Sequence, residues 1–160
     1  MSWTNSKVFA VTLTDAFNKT ANCPDLDADS FKAALFDNSI TPDNTVVAAS
    51  SAYGAGVWAS GGVVDTGSSA PAGWPAAGIA LASVTSTRSG ATYTFDAADT
   101  SSANSTTTLT GTYGCLVYDT TSTAVTGQGL SYHYFGGTQS VTLGTFTIVW
   151  NASGLVSVAA

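Results

Sequence analysis

The chain contains no glutamate. All ten acidic residues are aspartate, only four lysines and arginines oppose them, and 9% of the 160 residues are charged, against about a quarter in an average domain. Long helices laced with Glu–Lys pairs four residues apart are therefore excluded. The shortage also bears on catalysis. Asp96, Asp99 and Asp119 are candidates for the carboxylate pair of a glycosidase, but the residue most readily raised into a general-acid role is missing, and Asp119 reads better as the residue closing a turn. One histidine, His133 in Ser131-Tyr132-His133-Tyr134, builds neither a zinc site nor a Ser-His-Asp triad, so it is read as a solvent-face or interface histidine on a strand. The two cysteines, Cys23 beside Pro24 and Cys115 within an apolar run, leave a disulfide open; buried free thiols are the preferred reading.

Other absences bound where the chain works. No window approaches the roughly 18 apolar residues of a membrane span, and the start MSWTNSKVFAVTL lacks the basic, apolar and small-residue zones of a signal peptide, so synthesis in the cytosol without export is expected. A formal charge of −6 disfavours nucleic acid, whose phosphates it repels. Gly54-Ala55-Gly56 and Gly136-Gly137 have no following helix and lysine to make a phosphate cradle. No cofactor and no enzyme activity are expected. Asp25, Asp27 and Asp29 alternate like the first ligands of a calcium loop, yet Ser30 and Phe36 stand where that loop needs glycine and glutamate; a solvated acidic turn that caps the next element is preferred.

What is present is β-forming. With 44% apolar residues the chain can build a substantial core, and residues 1–160 are read as one domain, with an N-terminal segment over 1–24. From Ile79 onward, alternating apolar and polar runs recur between turn clusters. Strands are predicted over Ala80–Thr87, Thr92–Phe95, Thr107–Gly111, Tyr113–Tyr118, Gly129–Phe135 and Ser140–Trp150, with a closing strand at Leu155–Val158. Thr145–Trp150, β-branched and aromatic throughout, is the strongest of these signals. Residues 4–18 predict a short helix. Residues 48–78 are a long Ala/Gly/Ser-rich loop carrying Tyr53, Trp58 and Trp74; a loop of that length is usually functional. Two readings compete for its tryptophans, that Trp58 and Trp74 cap the core or that they, with Tyr53, anchor contacts to a neighbouring subunit. The expected fold is mainly β, an antiparallel sandwich or barrel of jelly-roll type with a short N-terminal helix.

The string YGCLVYDTTS (Tyr113–Ser122), followed by YFGGTQSVTLGTFTIVWNASGLVSV (Tyr134–Val158), resembles a family of small virion proteins of tailed bacteriophages, especially those of actinobacteria. DLDADSFKAALFDNSITPD (Asp25–Asp43), WPAAGIAL (Trp74–Leu81) and the FDAADTSS stretch (Phe95–Ser102) lie in that family's order. The resemblance favours a strand over Phe31–Phe36, where local propensity leaves helix and strand equal. It implies a structural role on the capsid exterior: a decoration or cement protein binding the major capsid protein, commonly as a homotrimer. The alternatives are a glycan- or receptor-binding module on a head fibre or tail, with Tyr53, Trp58, Trp74, Tyr132 and Tyr134 as a stacking platform, and a tail or connector subunit.

Overall fold

The computed structural model describes residues 3–66, 73–121 and 124–159. In chain order the elements are β1 (Lys7–Val8), α1 (Ala10–Asn18), β2 (Phe31–Phe36), α2 (Ala48–Ser51), two 3-10 turns (Gly56–Trp58 and Ser60–Gly62), β3 (Val63–Val64), β4 (Ile79–Ala80), β5 (Thr85–Ser89), β6 (Thr92–Asp96), β7 (Thr100–Ser101), β8 (Thr107–Asp119), β9 (Gly129–Gly144), β10 (Thr147–Ile148) and β11 (Val156–Ala159). All strand pairs are antiparallel.

The main sheet runs β1-β9-β8-β2-β3, with β4 sharing the β3 side of β2. Both of its faces are covered, which explains why β2 and β8 are near-continuous apolar runs rather than alternating ones. Phe31, Ala33 and Leu35 of β2, with Cys115 and Val117 of β8, point to one face. Ala34 and Phe36, with Leu116 and Tyr118, point to the other. The first face packs against two smaller sheets, β11-β6-β5 and β10-β7, which contribute Phe95, Val156 and Ile148 to the core, joined by Trp74, Phe146 and Trp150. The second is covered by the chain's beginning and by the 40–64 region, through Trp3, Phe9, Ile40 and Trp58.

The fold is thus mainly β, antiparallel and sandwich-like. Among the described residues the main sheet keeps open edges at β1 and at β3 and β4, so the barrel alternative does not hold. Strand Phe31–Phe36 and the N-terminal helix form as expected, although the helix is shorter than 4–18 because Lys7–Val8 first pairs with Ser131–Tyr132 of β9.

Other expectations need correction. Ser140–Trp150 is not one strand: Leu143 turns into the left-handed region (φ 49), β9 ends at Gly144, and only Thr147–Ile148 pairs again, now with β7 in another sheet. Conversely, the two strands expected over 107–118 are one, β8, bent by register shifts at Leu109 and Thr112. The 48–78 region contains α2, the 3-10 turns and β3; its residues 67–72 lie outside the described residues.

A bulge sets the parity of β9. Val117 opposes Ser131, yet Tyr118 opposes Gly129, so one extra residue intervenes. Leu130 consequently joins the first face while Tyr132 belongs to the second.

Candidate functional site

The aromatic residues expected to make contacts do not form a surface. Trp58 and Trp74 are both 0% exposed and lie on opposite faces of the main sheet. Of the two readings of these tryptophans, the core reading describes them, because neither retains surface with which to touch a neighbour. Trp58 is the hub of an aromatic cluster, with ring centroids 5.1 Å from Phe36, 5.9 Å from Trp3 and 6.1 Å from Phe9. Trp74 donates from Nε1 to the Ala33 carbonyl (3.2 Å) and meets Phe146 edge-on at 5.6 Å. Tyr53 is half-buried and stacks on Tyr118, 4.9 Å between centroids with 12° between planes; burial, then the neighbouring Tyr53, pushes the Tyr118 phenol up to about 12. Tyr132 is buried beside Trp58. Tyr134 is half-exposed and stacks on Tyr113 at 6.3 Å. Four of the five residues of the expected stacking platform, Tyr53, Trp58, Tyr132 and Tyr134, thus gather on the second face while Trp74 lies on the first, but Trp58 and Tyr132 are buried and offer no open ring face.

Most of the candidate chemical groups are occupied locally; Asp96 is the exception, its Oδ1 buried without a hydrogen-bond partner among the described residues. Asp25 Oδ1 accepts from the amides of Asp27 (3.1 Å) and Ala28 (3.2 Å), and Asp29 Oδ2 accepts from the Asp25 amide (2.7 Å). This is a self-capped acidic turn. Asp99 Oδ1 accepts from the Trp150 amide (3.0 Å), and Asp119 Oδ1 from the Thr121 amide (2.7 Å), the turn-closing role foreseen for Asp119. Among the described residues no group of three or more His, Cys or Asp side chains is placed to hold a metal ion.

His133 is not a solvent-face residue. It points to the first core face beside Cys115, lies edge-on to Trp150 at 5.3 Å and is within 3.0 Å of Ser131 Oγ. Desolvation lowers its pKa to about 4, so the ring is neutral at physiological pH. Cys23 and Cys115 are free thiols. Burial raises the Cys115 pKa. Burial also raises that of Cys23, and the charges of Asp15, Asp25 and Asp29 add to the effect.

A predominantly apolar concavity lies elsewhere. On the β11-β6-β5 sheet, Val156, Phe95 and Ser86 form one row and Val158, Tyr93 and Arg88 the next on the same side. Phe95 and Val156 are buried in the core, while Tyr93 and Val158 are only partly covered. This overhang faces α1, whose Leu13, Ala16 and Phe17 fall three and four residues apart on one stripe. Between them, closed off by the 19–27 loop, is a predominantly apolar groove of about 670 Å³. Phe17 stands at its rim 82% exposed. Tyr93 hydroxyl and Ser86 Oγ hydrogen-bond to each other at the sheet wall, and Thr20 Oγ1 donates to Asp15 Oδ1 (2.7 Å) behind the loop.

Sequence reasoning did not find this groove. A short helix over this region was legible, but the opposite wall of the groove comes from strands some seventy to one hundred and forty residues later, as in Tyr93 and Val158, and no local pattern links them. No family model, no curated protein and no solved structure matches this chain.

Proposed function

We propose that the chain is a capsid decoration protein: it binds the outer surface of a phage head, contacts the major capsid protein, self-associates as a homotrimer and reinforces the shell through many modest contacts engaged together. The resemblance of the 113–158 strings supports the location. The observation that carries the mechanism is how the polar groups are used. Asp25, Asp29, Asp99 and Asp119 accept backbone amides and the single histidine packs on Trp150, which suits a body that acts by its surface rather than by chemistry.

The surface fits such a role. The outer side of β11-β6-β5 includes Thr85, Thr87, Ser89, Thr92, Thr94, Ser157 and Ala159 beside Asp96, mostly short side chains that lose little rotamer freedom against a partner. Leu143 and Val149 are also exposed, 73% and 72%. The glycan-binding alternative is left with the half-exposed Tyr113–Tyr134 stack as its platform.

The test is reconstitution. Phage shells assembled without this protein are mixed with the purified chain, sedimented, and heated. Co-sedimentation with a higher rupture temperature is expected. Absence of shell binding, with retention instead on host cell-wall glycan, contradicts the proposal and favours the alternative.

A further inference from the structure

We propose that the groove between α1, the 19–27 loop and the overhang of β11-β6-β5 is the docking site for a basic, apolar-faced segment of a partner protein. This deepens the decoration reading, on which the partner is the capsid protein.

The floor and walls are apolar: Val8, Leu13, Leu26, Leu130, Val156 and Val158 all line it. A monomer rarely leaves a concavity of this kind open without use. Phe17 sharpens the point. At 82% exposed on the rim of an apolar groove, it has the size and position of an interface anchor with nothing over it.

Charge chooses the occupant. Asp25 and Asp27 line the groove and are exposed, Asp29 lies in the same turn, and the buried carboxylate of Asp15 sits behind it, held by Thr20 and Gln128. Among the described residues Lys19 is the one cation of the lining, and Arg88 opposes Tyr93 on the sheet wall, so the lining itself carries two carboxylates against one lysine, with Asp15 and Asp29 close enough to act on Cys23. The negative sign is felt inside the groove at Cys23, whose thiol is disfavoured from ionising first by burial and then by Asp15, Asp25 and Asp29. Phosphate-bearing ligands and anionic lipid surfaces are repelled by this rim. A second copy of the chain, at net −6 with four cations in all, is a poor match for the same reason. A segment that presents apolar side chains to the floor and Lys or Arg to the rim satisfies both features.

The groove is tested with the isotope-labelled protein and short peptides of defined chemistry. A peptide alternating leucine and lysine is expected to shift the amide resonances of Leu13, Phe17, Cys23, Asp27 and Tyr93. Its leucine–glutamate and serine–lysine counterparts are expected not to. Asp27→Asn should weaken binding about fivefold, the factor for removing one exposed charge contact. Ala16→Trp, which fills the groove from an exposed helix position, should abolish it while native dispersion of the spectrum is kept; if that variant fails to fold, Phe17→Ser replaces it. Equal binding of the glutamate peptide, shifts confined to another surface, or a groove-filled variant that binds normally would overturn the assignment. So would dimerisation that protects the groove residues. A chain that binds the peptide and ignores shells overturns the decoration reading and leaves the groove intact; a chain that binds shells and ignores the peptide does the reverse.

Discussion

Gly129 lies against the ring of Phe9: a Cβ added at position 129 would stand 2.5 Å from Phe9 Cε2 and 2.6 Å from the Ser51 carbonyl oxygen. That closeness lets the N-terminal segment seal the second face of the main sheet, and the Gly129 amide itself donates to Ser51 Oγ (3.2 Å). Gly129→Ala should therefore overpack this face and destabilise the protein by about 1–3 kcal/mol, read as a lowered urea midpoint with the slope unchanged. An unchanged midpoint would mean that the N-terminal cover is not tightly seated.

The two buried tryptophans should respond differently to replacement by phenylalanine, which deletes the indole N–H and a similar volume at both sites. Trp74 Nε1 donates to the Ala33 carbonyl, whereas Trp58 Nε1 is buried without an acceptor among the described residues. Trp74→Phe should cost more than Trp58→Phe by about 1 kcal/mol, the net worth of a buried hydrogen bond. Truncation to alanine should cost about 3–5 kcal/mol at either site. Urea denaturation of the four variants gives the comparison directly.

Stability should fall on mild acidification because of His133. Its folded pKa, about 4, lies below the unfolded value of about 6.5. Between those values the unfolded chain binds a proton that the folded chain does not, so unfolding free energy rises with pH in that window and is lost as pH drops from about 6.5 towards 4. The half-buried ring reduces the loss to about 1–3 kcal/mol. The urea midpoint of the wild type should decline over that range, and that of His133→Gln should stay nearly flat above pH 4.5. Parallel curves for the two would contradict the assignment of His133 to the core face.

Both thiols should be sluggish nucleophiles. Maleimide at neutral pH is expected to modify Cys23 more slowly than a free cysteine and to leave Cys115 untouched until denaturant is added, since burial disfavours both thiolates and acidic neighbours disfavour the first further. Reducing agent should not change the unfolding midpoint, because the cysteines are free.

Part of the strand pattern was legible because it rests on local alternation: β6 at 92–96 and β11 at 156–159 fall within one residue of where alternation puts them, whereas the strand expected over Ala80–Thr87 divides into β4 and β5. The break at Leu143 was not, since a leucine in the left-handed region carries no signal in a run of β-formers. Nor was the fate of the tryptophans. A Gly- and Ala-rich context makes Trp58 look accessible, and only the return of Trp3 and Phe9 over the same face buries it. Tyr132 and Tyr134 show the converse limit: both lie on one side of the strand by parity, yet only the first is buried, because Trp3, Phe9 and Trp58 close around Tyr132 whereas Tyr134 has Tyr113 stacked beside it. The groove required knowing that the β11-β6-β5 sheet overhangs α1, a relation between segments far apart in the chain.

The decoration reading is tested most directly by imaging intact virions at side-chain resolution by electron cryomicroscopy. The account predicts this β-fold repeated with icosahedral order on the outer shell, its 13–27 groove occupied by a basic segment of the capsid protein. Density for the fold confined to the tail or to a single vertex would contradict it.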